Sequence, residues 1–195
     1  MIANPHDYIL ATYEESILAK KVFIDSNISK ILEACEIISQ SMKKGHKLMI
    51  CGNGGSAADA QHMAAEMIGR MLIERHPLPA MALTTDTSNI TAIANDYSYD
   101  AIFEKQVQGL GQKGDTLLAI STSGNSKNVI RAVEAAKAKG IKVVSMTGGT
   151  GGILKELSDV NLNVELGKNS SRIQETHIFI VHSLVDVMDR YFLKA

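Results

Sequence analysis

KLMICGNGGS, residues 47–56, joins a short apolar run directly to a glycine-rich turn. An apolar run of this length that ends in glycines is typical of a buried parallel strand. Similar runs recur at residues 80–83, 116–120, 141–146 and, more weakly, 160–164. Because helical patterns separate these runs, the sequence predicts an α/β fold, namely a three-layer α/β/α sandwich with a five-stranded parallel sheet.

Helical periodicity fills the intervals between the predicted strands. Residues 5–44 carry apolar side chains at spacings of three and four, which predicts one long helix or two in series that end at Gly45. Further helical patterns cover residues 56–71, 87–109 (as a pair of shorter helices), 126–139 and 171–193. Since no linker interrupts the chain, we expect one domain over residues 1–195, with residues 1–45 as an N-terminal helical segment.

The charge balance of the chain excludes several classes of function. Among 195 residues the formal net charge is −1, far from the excess of positive charge expected of a nucleic-acid-binding protein. The first 25 residues mix charged with apolar side chains, so they match neither a signal peptide nor a membrane span. The two cysteines lack the spacing of a metal or redox site. We therefore expect a cytoplasmic protein with no nucleic-acid or membrane partner.

Two turns after predicted strands are candidates for ligand binding, because open parallel sheets bind ligands at the carboxyl ends of their strands. In residues 52–56 the glycines let backbone N–H groups approach a ligand, and Ser56 is a candidate helix cap. Residues 121–126 surround a glycine with hydroxyls at the start of a helix, which suits a phosphate. The alternative for this second turn is an ordinary polar turn with Ser126 as N-cap.

Titratable side chains lie on the helices next to these turns. His62 and Glu66 are four residues apart, so both project from one helix face, as a metal-ligand pair or a base with its partner requires. A purely structural surface pair has the same spacing. Side chains that are either structural or functional follow at Asn95, Asp96, Gln174, His177 and His182.

Four motifs, taken together, identify a family. They are CGNGGSAADAQHMAAE (residues 51–66), AIANDY (92–97), AISTSGNS (119–126) and RIQETH (172–177). In this order and spacing they closely resemble the phosphoheptose isomerases of the sugar isomerase (SIS) domain superfamily, over nearly the whole chain. The resemblance implies a SIS fold, a homotetramer with active sites at subunit interfaces, and oligomer packing through residues 1–45. It also implies conversion of D-sedoheptulose 7-phosphate to D-glycero-D-manno-heptose 7-phosphate in bacterial lipopolysaccharide or capsule synthesis.

The resemblance implies roles for individual residues. Substrate contacts fall on Asn53, Gly54, Gly55, Ser56, Glu66, Asn95, Asp96, Ser121, Thr122, Ser123, Ser126 and Gln174. One zinc ion per subunit is implied, with the ligands His62, Glu66, Gln174 and His182. Glu66 and His182 match the acid/base pair. Because a carboxylate held tightly by zinc is a weaker base, we expect Glu66 to act mainly as the base and only secondarily as a ligand.

Two other functions remain open from the sequence. Paralogues that bind a replication initiator have similar loops, but they commonly lack the histidine at position 182 or the carboxylate at position 66, and this chain has both. An isomerase of another sugar phosphate, such as an arabinose or hexulose phosphate, would also match these loops. One departure from the family is Ser171, where some members carry an acidic residue.

The spacing along the last helix suggests how the site is assembled. Gln174 and His182 are eight residues apart, which is a rise of about 12 Å on one helix. Zinc accepts ligands only at about 2.0–2.2 Å, so the two side chains would reach one ion only when nearly fully extended. We therefore expect Gln174 and His182 to serve different copies of the site, and we consider a composite site in which Glu66 and His182 come from different subunits.

Overall fold

The computed structural model describes residues 4–193, so the outermost ends of the predicted domain, residues 1–3 and 194–195, lie outside it. The elements are α1 (Pro5–Lys43), β1 (Leu48–Gly52), α2 (Gly55–Ile68), β2 (Ala80–Ala82), α3 (Thr87–Asp96), a 3-10 turn (Tyr99–Ala101), α4 (Ile102–Leu110), β3 (Thr116–Ser121), α5 (Lys127–Ala138), β4 (Lys142–Gly148), α6 (Gly152–Leu157), β5 (Val160–Val164) and α7 (Ser170–Phe192). The predicted alternation of strands and helices is confirmed.

The sheet has five strands in the order β2-β1-β3-β4-β5. All four neighbouring pairs are parallel. From β1 the chain moves to β2 in one direction, whereas β3, β4 and β5 follow in the other. This reversal of direction creates a topological switch point between β1 and β3, the place where ligands bind in open α/β sheets.

Helices cover both faces of the sheet. Leu48 and Ile50 of β1 pack with buried side chains of α1, α2 and α7. Met49 and Cys51, which point to the other face because side chains alternate along a strand, pack with buried side chains of α4 and α5. Burial on both faces explains why β1 and β3 are nearly continuous apolar runs rather than alternating ones.

The N-terminal segment forms one helix of 39 residues rather than two in series. Asn4 caps it by accepting a hydrogen bond from the His6 N–H, and Pro5 occupies the first helical turn, where a missing N–H costs nothing. Its C-terminal half is buried against α7 and β5. Its N-terminal half leaves large apolar side chains between 47% and 64% exposed, namely Tyr8, Ile9, Leu10, Tyr13, Ile17 and Leu18.

Three local features differ from the sequence-based expectation. Ser56 does not cap α2, because the N-cap is Gly54 and Ser56 is buried inside the first turn. The helix α2 ends at Ile68, before the predicted residue 71, since Gly69 follows as its C-cap. The short helix α6 was not predicted.

Within residues 4–193, no helix has both the length and the apolar character needed to cross a bilayer.

Candidate active site

Two turns lie side by side at the switch point. Gly52 of β1 pairs with Ile120 of β3, so the two strands end within one residue of each other. The turn after β1, residues 52–55 (the glycine turn), therefore neighbours the turn after β3, residues 121–126 (the hydroxyl loop). Both lie at the carboxyl edge of the sheet, as the sequence predicts for a ligand site.

The side chains of the hydroxyl loop converge. Ser121 Oγ lies 2.9 Å from Ser126 Oγ and 3.4 Å from Ser123 Oγ. Ser126 occupies the N-cap position of α5, yet its side chain makes no capping hydrogen bond. A role as helix N-cap therefore does not explain why a hydroxyl is present at position 126. The hydroxyls gather at the start of α5, where free N–H groups and the helix dipole attract an anion.

Close backbone approach explains two of the glycines. A Cβ on Gly55 would lie 2.6 Å from Gln174 Oε1, so the Gln174 amide of α7 sits directly against the glycine turn. A Cβ on Gly124 would overlap the backbone of Gly151, and Gly124 has φ +66°. The glycine turn and the hydroxyl loop thus leave no room for side chains at these two positions.

Three titratable side chains of the α2–α7 helix pair meet. His62 Nε2 lies 3.1 Å from His182 Nε2 and 3.2 Å from Glu66 Oε1. The three ligand-type atoms all lie within 4.8 Å of one another. We call this group the His62–Glu66–His182 cluster. Because α2 carries two of its members and α7 the third, the cluster depends on the packing of helices that are distant in sequence.

A buried ion pair holds α7 against the end of α2. Arg75 Nε donates to Asp189 Oδ1 at 2.7 Å, and both side chains are almost fully buried. The same guanidinium donates to the carbonyls of Glu66 and Met67, each at 2.8 Å. The backbone that carries Glu66 is therefore fixed relative to α7, the helix that carries His182.

The donor set of the cluster fits a metal ion. Two ligands on a tetrahedral zinc ion with bonds of about 2.0–2.1 Å lie roughly 3.3–3.4 Å apart, and the distances from His62 Nε2 to the other two ligand atoms are 3.1 and 3.2 Å. Glu66 Oε2 is buried and has no hydrogen-bond partner within residues 4–193. Two imidazole nitrogens and a carboxylate oxygen that face one point are electrostatically matched by a cation. The cluster can therefore hold a metal ion with three ligands from one chain.

The structure corrects the composite arrangement of the acid/base pair. We expected that Glu66 and His182 could come from different subunits, but the side chains of one chain already meet. Gln174 stays outside the cluster, because its amide lies against Gly55, about two helical turns from His182. One chain therefore does not assemble all four ligands implied by the resemblance.

The other predicted substrate contacts, Asn95, Asp96 and Thr122, do not join the His62–Glu66–His182 cluster. Asn95 and Asp96 end α3, and the Asn95 amide donates to Asp96 Oδ1 at 2.9 Å. Thr122 Oγ1 lies 3.4 Å from Ser170 Oγ at the start of α7. Within the described residues, the side chains of Asn95 and Asp96 hydrogen-bond only to each other.

Comparison with known proteins identifies the family. The SIS domain family model matches residues 12–148. A phosphoheptose isomerase of Coxiella burnetii is 51% identical over 186 residues, which cover 94% of this chain and 93% of that protein. The chain belongs to the phosphoheptose isomerase family of SIS-domain proteins.

Solved structures of the phosphoheptose isomerase family agree with this assignment. A phosphoheptose isomerase from Neisseria gonorrhoeae is 45% identical with a TM-score of 0.90, and the match covers 96% of this chain and 100% of that one. One from Francisella tularensis is 40% identical with a TM-score of 0.92, over 96% of this chain and 99% of that one. The family and the fold class predicted from the four motifs are confirmed.

Sequence reasoning missed three residues at the site of this phosphoheptose isomerase family member. Asn128 and Tyr99 hydrogen-bond to Asn53 of the glycine turn. Asp59, one helical turn before His62, is buried, and its Oδ2 has no hydrogen-bond partner within residues 4–193. Burial raises the pKa of Asp59 to about 6, while the charges of His62 and His182 lower it. Asp59 could have been found from the sequence, because it lies about one helical turn before His62. Asn128 and Tyr99 are revealed only by their tertiary contacts.

Proposed function

We propose that this chain is a sugar-phosphate isomerase that converts D-sedoheptulose 7-phosphate to D-glycero-D-manno-heptose 7-phosphate, a ketose–aldose step of bacterial heptose synthesis. The observation that carries the proposal is the His62–Glu66–His182 cluster, two members of which lie on α2, the helix that follows the glycine turn. This cluster occurs in a chain that is 51% identical to a phosphoheptose isomerase over nearly its whole length.

In this proposal the hydroxyl loop binds the phosphate. Its serine hydroxyls can rotate to donate to phosphate oxygens, and α5 adds N–H groups and the positive end of its dipole. No Lys or Arg lies within residues 121–126. Neutral donors and a helix N-terminus would then provide the recognition, which leaves the charge of the phosphate only partly compensated and allows the product to leave.

Glu66 is the proposed base. In a ketose–aldose exchange a proton leaves C1 and one returns at C2, while a second proton moves from O1 to O2. The Glu66 side chain is only 15% exposed, and His62 lies beside one of its oxygens. A carboxylate so placed can take the carbon-bound proton and return it to the neighbouring carbon, while His182 exchanges protons at the two oxygens.

The same residues would hold a metal ion, which we propose to be one zinc ion per subunit. His62, Glu66 and His182 are the ligands that one chain offers. Bound there, zinc would act as a Lewis acid toward the oxygen that carries the negative charge of the enediolate. Glu66 must then divide the lone pairs of its two oxygens between ligation and proton transfer.

Gln174 is the proposed contact that orients the sugar. Its amide lies against Gly55, in the turn that also carries Asn53 and Gly54. An amide offers both a donor and an acceptor, which suits sugar hydroxyls that do both. The exposed glycine turn adds backbone N–H groups at the same position.

The direct test is turnover. Purified protein incubated with sedoheptulose 7-phosphate should form an aldose heptose phosphate, measured by coupled assay or NMR. Conversion of an arabinose or hexulose phosphate, with no formation of a heptose phosphate, would show that the substrate assignment is wrong. Absence of turnover on every sugar phosphate, in a folded preparation saturated with zinc, would favour a regulator that binds a protein partner.

We also propose that a second copy of the chain covers the N-terminal half of α1, in the homotetramer that the family implies. The support is the row of exposed apolar side chains there, which includes Ile9, Tyr13 and Ile17. Sedimentation velocity should give a tetramer for the wild type and smaller species for an Ile9→Asp/Tyr13→Asp variant. The matched control is Lys30→Asp, a change at an exposed polar position of the same helix. A monomeric wild type would contradict the proposal.

A further inference from the structure

The side chain of Asn53 is the centre of a three-residue hydrogen-bond cluster. Its Nδ2 donates to Asn128 Oδ1 at 2.9 Å, and Asn128 Nδ2 donates back to Asn53 Oδ1 at 2.8 Å. The hydroxyl of Tyr99 donates to the same Asn53 Oδ1 at 2.9 Å. We call Asn53, Asn128 and Tyr99 the amide cluster.

The amide cluster joins three segments that are far apart in sequence. Asn53 belongs to the glycine turn. Asn128 lies in the first turn of α5, directly after the hydroxyl loop. Tyr99 follows Asn95 and Asp96 after the end of α3. Three of the segments with predicted substrate contacts, namely the glycine turn, the hydroxyl loop and residues 95–96, therefore contribute to the cluster or lie beside a residue that does.

The side-chain amide of Asn53 is hydrogen-bonded through both of its polar atoms. Both oxygen lone pairs of Asn53 Oδ1 are used, by Asn128 and by Tyr99, and one of the two Nδ2 hydrogens is used by Asn128. Reversing the Asn53 amide alone would place its N–H group against the N–H group of Asn128. One N–H of Asn53 remains, and it suits an acceptor such as a sugar oxygen.

The burial of Asn128 makes this arrangement costly to disturb. Asn128 is 3% exposed, whereas Tyr99 is 56% exposed. An amide as buried as that of Asn128 has little access to water, so loss of its partner leaves polar groups unsatisfied. Tyr99 adds a single hydrogen bond from the solvent side.

We propose that Asn128 and Tyr99 are positioning residues, which hold the Asn53 amide and thereby keep the glycine turn, the hydroxyl loop and the segment after α3 in one arrangement for the sugar phosphate. Neither residue is required to touch the substrate. The inference rests on the proposed function for its kinetic consequence. Its structural part, the coupling of the glycine turn to α5 through Asn53, stands independently of the substrate.

The kinetic test uses Tyr99→Phe, Asn128→Ala and Asn53→Ala, with Tyr97→Phe as the matched control. Tyr97 is a neighbouring exposed tyrosine whose hydroxyl makes no hydrogen bond within the described residues. For sedoheptulose 7-phosphate, kcat/KM should fall about 3- to 10-fold in Tyr99→Phe and about 10- to 100-fold in Asn128→Ala, because a hydrogen bond and a buried partner are lost. Tyr97→Phe should match the wild type.

The decisive measurement is Tyr99→Phe in an Asn53→Ala background. If Tyr99 acts through Asn53, its substitution should have no further effect there. A loss of the same factor in both backgrounds would overturn the proposal. So would wild-type kinetics of Tyr99→Phe and Asn128→Ala, compared well below the unfolding transition of each variant.

Hydrogen exchange separates this inference from the proposed function. Amides of residues 53–56 should exchange faster in Asn128→Ala than in the wild type, although the substitution lies on α5. Tyr99→Phe should do the same to a smaller extent, and it provides the measurement if Asn128→Ala does not fold. Unchanged exchange in both variants would refute the coupling. A wild type that fails to convert sedoheptulose 7-phosphate while exchange responds as expected would refute only the proposed substrate.

Discussion

The hydroxyl loop and the His62–Glu66–His182 cluster are both parts of the proposed active site, but they are built in opposite ways. The loop is six consecutive residues that run from the end of β3 to the N-cap of α5, and its hydroxyls bond to one another within five positions of sequence. The cluster joins His62 to His182 across 120 positions. Its geometry therefore depends on how α2 and α7 pack, with Arg75 and Asp189 buried between them.

This difference predicts how each region responds to substitution. Several weak donors share the work of the hydroxyl loop, so the loss of one or two reduces binding without abolishing it. The cluster has one carboxylate in one position, and no neighbouring group replaces its chemistry. Substitutions in the cluster should therefore affect turnover, and substitutions in the loop should affect mainly KM.

The largest expected effect is that of Glu66→Gln. Glutamine keeps the size of the side chain but cannot accept the proton, so kcat should fall by about 10²–10⁴-fold or more while the substrate still binds. Steady-state kinetics and a substrate-binding measurement together check this. If the variant still exchanged the C1 hydrogen of the substrate rapidly with solvent deuterium, another residue would have to be the base.

A mixing experiment tests whether the cluster belongs to one chain. Glu66→Gln and His182→Asn should each be inactive, and oligomers refolded from a mixture of the two should stay inactive, because each cluster takes both residues from the same chain. Wild type mixed with Glu66→Gln is the control and should retain activity in proportion to its wild-type fraction. Recovery of activity in the mixed variants would contradict the single-chain cluster.

The hydroxyl loop should give an intermediate effect. In Ser121→Ala/Ser123→Ala, each lost hydrogen bond to the phosphate should cost on the order of 1.5–3 kcal/mol, so the loss of both should raise KM by about 10²-fold or more, with a smaller change in kcat. Ser26→Ala removes a hydroxyl that bonds only within α1 and serves as the control. Wild-type KM in the double variant would show that the phosphate binds elsewhere.

The smallest expected effect is on stability, through His177. This residue lies on α7, is fully buried, and its Nε2 is 3.1 Å from the Thr147 carbonyl oxygen. Burial lowers the pKa of His177 from 6.5 to about 4. The unfolded chain therefore binds a proton more readily, and the stability that the neutral ring supports is lost as pH falls from about 6.5 towards 4.

Urea unfolding at about pH 7 and about pH 5 should reveal this contribution, which amounts to about 2 kcal/mol over that range. The matched variant is His177→Gln, which can still donate to the Thr147 carbonyl but does not titrate. Its free energy of unfolding should fall less than that of the wild type as pH decreases. Equal pH dependence in the two proteins would mean that His177 titrates normally in the folded state.

Much of the fold could be predicted from the sequence because its signals are local. Apolar runs marked four strands and, more weakly, β5, and glycines marked the turns after β1 and β3. The helix α6 escaped prediction because only six residues form it, too few for a periodic pattern. Ser56 was assigned as a cap because its position after two glycines fits one, whereas the chain enters α2 through Gly54.

The sequence by itself determined which chemical groups are present and which of them are near one another along the chain. It placed the four hydroxyls within residues 121–126, and His62 four positions before Glu66, because the spacing of residues on a loop or a helix turn is set by backbone geometry. The family motifs added His182 and Gln174 to the candidate residues.

Only the tertiary structure decided that His182 meets Glu66 of its own chain, that Gln174 lies instead against Gly55, and that Asn128 and Tyr99 hold Asn53. Each of these contacts joins elements whose relative position results from packing on the sheet. No local pattern encodes that position, because it depends on the order of the strands and on the burial of all the helices at once.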